Sequence, residues 1–457
     1  MKHLAILLVV LLLSPLTELS AAEPSKPNIV LIFIDDLGYA DIGPFGNTKV
    51  RTPHLDKMAA EGMKFTSFYA TPVCSMSRAC LLTGCYNTRV SIPGVLFPKD
   101  TIGLHSNEVM LAEVVKQKGY ATCCIGKWHL GWQPELLPTS QGFDHYFGLP
   151  YSNDMGTGNK GRGFPPLPLI KGNEVIETEP DQSQLTRRYT EEAVRFIREH
   201  QAEPFFVYLP HTMVHHPLAA SAAFSGKSQQ GALCDAIEEV DWSVGQILAT
   251  LKELRLDEKT LVIFTSDNGP ARRSAGPFRG SKGSNFEGGV REPCIMRWPG
   301  TIPAATTCDR IAGNIDMLPT FAKLAGVDPP KDRVIDGRDI TPLMFDPQAG
   351  PVRDTHFYFG GNSALAAVRQ GDWKLFLNTS KDPGGEKDGQ PTTKVGKRKN
   401  ARGGSGALYN LANDPGEAND VAAANPDVVA KLSARATKFA TQIQKTKRPA
   451  GQATGTK

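Results

Sequence analysis

Residues 28 to 38 read NIVLIFIDDLG: six apolar residues without a break, then two carboxylates. A half-exposed strand would alternate apolar and polar positions, and this run does not. It suits a parallel strand covered by helices on both faces. KTLVIFTSDNG, residues 259 to 269, repeats the pattern, and YATCCIG and PFFVYLP are shorter versions of it. Between these runs lie helical patterns: PHLDKMAAEGMKF, SNEVMLAEVVKQKG, residues 183 to 201, and the long stretch SQQGALCDAIEEVDWSVGQILATLKEL. Strands alternating with helices predict an α/β fold around a large, mostly parallel sheet flanked by helices. Ligands of such sheets gather at the carboxyl ends of the strands, where both acidic clusters fall.

The ends of the chain set its organisation. Lys2 and His3, an apolar run from Leu4 to about Leu13 and the small residues Ser20, Ala21 and Ala22 predict a signal peptide over residues 1 to 22. It is too short for a comfortable membrane span, and no later segment is long and apolar enough. The reading is therefore an exported protein, periplasmic or secreted, with no stable membrane anchor. Residues 23 to 345 would form one catalytic domain. Beyond them HFYFGG, SALAAVRQGDWKLFLNTS and GALYNLANDPGE read as short strands, followed by a helix at PDVVAKLSARATKFATQIQ. These predict a small C-terminal antiparallel α+β domain over residues 346 to 445, with a disordered tail at 446 to 457. Residues 381 to 406, rich in Gly and Lys/Arg, read as a solvated loop, or as a basic flap over an anionic substrate. A formal charge of +4 on 457 residues gives no footprint for nucleic acid. The eight cysteines have neither zinc-site spacing nor the regularity of a disulfide scaffold.

Asp35, Asp36, Asp267 and Asn268 offer three carboxylates and an amide oxygen, the ligands of a hard cation such as Ca²⁺ or Mg²⁺. No histidine sits within either cluster, which disfavours zinc. In TPVCSMSRACLLTG, residues 71 to 84, a short helix over 75 to 82 would end at Gly84 and place Cys74 at its N-terminus. Unpaired N–H groups and the helix dipole favour anions there, and Arg78 lies one turn on. Lys127 and His129 in GKWHLG, Lys282 in RGSKGSNFEGG and His215 in HTMVHHP follow strands or sit among glycines. Singly, each is more often an ordinary surface or core residue, and Cys74 a buried or disulfide-bonded thiol. Together they would make a site for a small polyanion.

Cys74-Ser75-Met76-Ser77-Arg78 followed by Leu82-Thr83-Gly84 resembles the signature of the sulfatase family, Cys-x-Pro-Ser-Arg then Leu-Thr-Gly. DDLGYAD, TPHLDKMAAEG, GKWHLG, QGFDHYFGLPYS, SDNG, KGSNFEGGVREP and LYNLANDPGE carry the resemblance from about Asn28 to the end of the small domain. It implies an alkaline-phosphatase-like fold and hydrolysis of a sulfate ester. It further implies that a formylglycine-generating enzyme oxidises Cys74 to formylglycine, an aldehyde hydrated at rest. Asp35, Asp36, Asp267 and Asn268 would hold calcium, or magnesium. Arg78 would stabilise the aldehyde hydrate and His129 would contact it. Lys127, Lys282, Ser152 and His215 would bind sulfate, with His215 or Lys282 protonating the leaving alcohol. QGFDHYFGLPYSNDMG is similar to the arylsulfatase A and N-acetylgalactosamine-6-sulfatase branch, which implies a sulfated carbohydrate of galactose or N-acetylgalactosamine type. His216, Asn153, Asp154, Arg272 and Arg273 adjoin matched positions and are candidate sugar contacts. Two departures stand out: Val214 where the family more often has proline, and Met76 where the maturing enzyme usually reads proline. An unconverted Cys74 would leave a non-catalytic binder of sulfated glycans; the other alternative is a phosphoester hydrolase of the same superfamily.

Overall fold

The computed structural model describes residues 26–271, 273–360, 363–377 and 406–453. The expected signal peptide, Arg272 and nearly all of the Gly- and Lys-rich segment lie outside them. Among the described residues the main sheet has eleven strands, and its centre is parallel. Thr260–Ser266, Asn28–Ile34, Phe205–Pro210, Ala121–Ile125 and His145–Gly148 run side by side in that order. Outside them the pairing turns antiparallel, through Arg291–Arg297 and Met63–Tyr69 on one flank and Pro168–Lys171 and Glu174–Thr178 on the other. The sheet is therefore mixed but mostly parallel where the buried apolar runs lie.

Alternate side chains of each central strand enter different cores, as a sheet's period of two requires. Ile29, Leu31 and Phe33 join Phe206, Tyr208, Leu261 and Ile263 on one face, with Leu81 and Phe321 from helices Cys74–Thr83 and Met317–Ala325. Val30, Ile32 and Ile34 join Val207, Leu209, Val262 and Phe264 on the other, with Tyr189 and Val240 from helices Leu185–Glu199 and Ala232–Glu253. Every residue of Asn28–Ile34 is buried, which is why the run shows no alternation. Truncating one of these to alanine would cost about 2–5 kcal/mol.

The second sheet is antiparallel: Thr355–Phe359, Leu365–Gln370, Trp373–Phe376 and Leu408–Asn410. Helix Pro426–Thr446 covers it, with Leu432, Ala436 and Ile443 in one cluster with Val368, Leu375 and Leu408. The disordered tail expected from residue 446 is corrected as far as Ala453. Gly451–Gln452 pairs antiparallel with Ile102–Gly103, and the Ala453 N–H donates to the Thr101 carbonyl at 2.8 Å. Arg448 donates to both oxygens of Glu108, at 2.7 and 2.8 Å. Composition alone misjudged this segment, because its partners lie more than 300 residues upstream.

Candidate active site

Five adjacent strand ends and one helix build a single pocket. Asp35 and Asp36 leave the 28–34 strand, and Asp267 and Asn268 leave its neighbour at 260–266. Lys127 and His129 follow the 121–125 strand, Ser152 the 145–148 strand and His215 the 205–210 strand. Backbone bonds fix the exits: Asp35 N–H donates to Met213 O, Val214 N–H to Asp35 O, and Lys127 N–H to Pro210 O. Gly126 permits the last approach, since a Cβ there would lie 1.9 Å from the Pro210 oxygen at a φ of +130°. Asp36 and His129 have φ of 60° and 63°, left-handed values uncommon for residues with a Cβ.

Cys74 opens helix Cys74–Thr83. Ser77 braces the entry, its hydroxyl accepting from Thr71 N–H at 2.8 Å. Arg78 is fully buried and donates to Lys127 O at 2.7 Å and Asp267 Oδ2 at 2.9 Å. Lys127 Nζ lies 2.5 Å from Asp35 Oδ2 and donates to Ser152 Oγ at 3.1 Å. Lys282 Nζ lies 2.8 Å from Asp36 Oδ1. His215 Nε2 stands 3.7 Å from Asp36 Oδ2. All eleven residues singled out for catalysis, sulfate or metal therefore fall in one connected cluster.

His129 is held at both nitrogens. Its Nε2 is 2.8 Å from the Leu96 carbonyl and its Nδ1 is 3.3 Å from Cys74 Sγ. A carbonyl can only accept, so Nε2 carries the proton and Nδ1 presents a lone pair to position 74. Burial, Lys127 and Arg78 hold His129 well below its ordinary pKa, so the ring is neutral. Sequence reasoning missed the Leu96 carbonyl, because a main-chain acceptor has no residue signature. Burial also raises the Cys74 thiol pKa, against Lys127 and Lys282, so the group is a poor thiolate.

The carboxylates fit a hard cation. Asp35 Oδ1, Asp36 Oδ2 and Asn268 Oδ1 are buried without a hydrogen-bond partner. Leaving such atoms unpaired costs about 1–3 kcal/mol each, and a divalent ion would satisfy them together. Burial and then Asp35 push Asp267 up to about 7. Burial would raise Asp35 too, but Lys127, His215, Arg78 and Lys282 outweigh it and hold that group below the usual carboxylate range. Asp35, Asp36 and His215 offer atoms within 4.8 Å of one another, as do Asp35, Cys74 and Asp267.

The candidate sugar contacts divide. Asn153 is buried, donating to Gln182 Oε1 at 2.9 Å. Arg273 braces the site, donating to Asp36 O and Asp41 Oδ2, each at 2.8 Å. Asp154 is half-buried and His216 exposed. Among the described residues every cysteine is free, and no helix is long and apolar enough to cross a membrane.

Fold and pocket offer a cluster of lysines and an arginine beside carboxylates that could hold a hard cation. The Sulfatase family model matches residues 27–327, and a model of the C-terminal region of aryl-sulfatase matches residues 351–455. The chain belongs to the sulfatase family and is a sulfuric ester hydrolase. It is 40% identical over 387 residues to N-acetylgalactosamine-6-sulfatase of Canis lupus familiaris, covering 79% of this chain and 73% of that one. It is 38% identical over 455 residues to arylsulfatase A of Homo sapiens, covering 92% and 89%. Among solved structures it is similar to the PsFucS1 sulfatase from Pseudoalteromonas sp., with a TM-score of 0.81 at 27% identity over 93% of this chain and 92% of that one. A phosphonate monoester hydrolase of Agrobacterium radiobacter shares the fold alone, with a TM-score of 0.64 at 19% identity, covering 92% and 96%.

Proposed function

We propose that this chain is exported and removes sulfate from a sulfated carbohydrate of galactose or N-acetylgalactosamine type, using a formylglycine hydrate made from Cys74 by a maturing enzyme. The observation that carries the reading is the lone pair of His129 Nδ1, 3.3 Å from an atom at position 74. Cys74 Sγ marks the place of a hydrate oxygen. A hydrated aldehyde there supplies two hydroxyls on one carbon, one to attack sulfur and one whose deprotonation releases sulfate. A divalent ion held by Asp35, Asp36, Asp267 and Asn268, calcium before magnesium, would lower the pKa of a bound hydroxyl and polarise a sulfate oxygen.

The chain's own groups account for the rest. His129 Nδ1 takes the proton of the second hydroxyl, and Leu96 O keeps the ring in the required tautomer. Arg78, Lys127 and Lys282 balance negative charge in a pocket where fixed charges count for more than in water. Burial would lower Lys282, but Asp36, Cys74, Asp35 and Asp267 together outweigh it and hold its pKa well above the ordinary value, so it keeps its proton. It and His215 stand at the more accessible side, with 17% and 13% of their side chains exposed, where a leaving alcohol can take a proton. The relative named N-acetylgalactosamine-6-sulfatase supports the substrate class by its printed name.

Mass spectrometry of the peptide spanning residues 71–89 should show the loss of mass that accompanies formylglycine formation. Desulfation should follow on defined galactose or N-acetylgalactosamine sulfates. An unaltered thiol in material that nonetheless turns over would overturn the nucleophile. Met76 favours the binding reading, and an unaltered thiol with sulfated-glycan binding but no turnover would establish it.

A further inference from the structure

Phe97 and Phe164 stack, with ring centroids 6.2 Å apart and planes 14° from parallel. Both rings are only half-buried. They come from separate loops, and neither is a position singled out for the chemistry above. Phe97 follows directly on Leu96, whose carbonyl holds His129 against position 74. The Phe97 loop therefore adjoins the His129 side of the pocket, and its ring is stacked on Phe164.

Hydrogen bonds tie both loops to the rest of the fold. Ser75 Oγ accepts from Leu96 N–H at 3.2 Å, tying the Phe97 loop to the nucleophile's helix. Phe97 and Asp100 close a tight turn, Phe97 N–H donating to Asp100 Oδ2 at 2.7 Å and Asp100 N–H to Phe97 O at 2.9 Å. Gln133 Nε2 then donates to Asp100 O at 2.9 Å, and the C-terminal strand Gly451–Gln452 pins Ile102–Gly103. The Phe164 loop is stapled by Glu179 Oε1, which accepts from Thr157 N–H at 2.7 Å and Leu167 N–H at 3.1 Å. Both rings pack partly against the core, and the apolar surface they leave in water is free to meet an apolar face of a ligand. Exposed Lys99 and Lys160 lie on the same two loops and favour an anionic partner.

Resting on the function proposed above, we propose that the Phe97–Phe164 stack is a saccharide subsite for the pyranose ring next to the one that carries the scissile sulfate. The flat C–H face of a sugar matches an aromatic surface, and its hydroxyls stay in water. The two lysines meet further sulfate or carboxylate groups of an anionic glycan. The subsite favours chains of two or more rings over a single sulfated sugar.

The test compares kcat/KM on a sulfated tetrasaccharide with that on the matching monosaccharide sulfate. Phe97→Ala and Phe164→Ala, each checked for an unchanged unfolding transition, should lower the ratio of the two about tenfold, mainly through KM on the tetrasaccharide. Phe97→Tyr should restore it, and Ile176→Ala, exposed on the outermost strand, should leave both substrates unchanged. An unchanged ratio in both alanine variants overturns the subsite. Failure of the wild-type chain on both substrates would instead sink the proposed function. Calorimetric binding of the same tetrasaccharide then decides the subsite, equal affinity for wild type and Phe97→Ala overturning it.

Discussion

At the junction of the two sheets, Lys374 is fully buried between Glu287 and Glu417, 2.9 Å from each. At the strand ends, Lys127 is equally buried against Asp35. Both set a buried lysine against carboxylates, but the two clusters differ in closure. Glu287 Oε1 accepts from Lys374 and Oε2 from Tyr69 at 2.6 Å, and Glu417 Oε2 accepts from the Glu287 N–H, also at 2.6 Å. In the pocket, Asp35 Oδ1 and Asn268 Oδ1 have no hydrogen-bond partner and Asp36 Oδ2 has only His215 at 3.7 Å, whereas Glu417 Oε1 at the junction, also without an aligned hydrogen bond, lies 2.9 Å from the Lys374 ammonium. The junction supplies its own cation, whereas the pocket leaves oxygen atoms that a cation from solution could take. A buried ion cluster signals a functional site when its satisfaction is incomplete, not merely because it is buried.

The largest effect expected from this contrast is on chemistry in the pocket. Cys74→Ala should lower turnover by about 10⁴-fold or more, as loss of a nucleophile does elsewhere, while the unfolding transition stays in place. Activity near wild type would remove position 74 from the mechanism. Next come the two lysines. Lys374→Met should destabilise the fold by about 3–5 kcal/mol, because it strands two buried carboxylates, and should change kcat per folded molecule less than tenfold. Lys282→Ala should do the reverse, costing about 2.7–4 kcal/mol in transition-state stabilisation. Denaturant titration and kinetics of both variants test the division, and matching effects would break the comparison.

Chelation comes third. Removing divalent ions supplied at a free concentration of about a hundred times their dissociation constant should cost about 2.7 kcal/mol of stability. Asp35→Asn should abolish that dependence and Lys374→Met should retain it; calorimetry with and without chelator distinguishes them. The smallest effect is on acid stability. Burial would raise Glu287, but Lys374, Arg291 and Arg369 outweigh it and hold it at about 2, below its ordinary 4.5. A depressed carboxylate stabilises the fold above its unfolded pKa and loses that contribution as pH falls through the folded value. Stability should therefore decline from pH 4.5 toward about 2, and Glu287→Gln should make the slope of Tm against pH shallower there. Glu417 is pushed up to about 7, by burial first, and acts at higher pH with the opposite sign. An unchanged acid slope in Glu287→Gln would show that other carboxylates dominate this range.

How much was legible varied with the range of the interactions involved. The apolar runs, the acidic strand ends and the Cys74–Arg78 helix were readable because local spacing carries them. Helix Cys74–Thr83 differs from the expected 75 to 82 by one residue at each end. The Leu96 carbonyl, the order at residues 447 to 453 and the bracing role of Arg273 were not readable. Each depends on a contact across the fold with a group that any residue, or any arginine, could supply.

By itself the sequence determined a two-faced parallel core, because six consecutive apolar side chains can only be buried from both sides. It also determined the chemical types of the site, since carboxylates, lysines and a cysteine at strand and helix ends are fixed by residue identity. Only the tertiary structure decided which oxygens stay unpaired, which imidazole nitrogen faces Cys74, and that Lys374 closes one ionic cluster while the other stays open. Those outcomes turn on ångström-scale distances between segments 30 to 300 residues apart, set by how the strands and domains pack and carried by no local pattern.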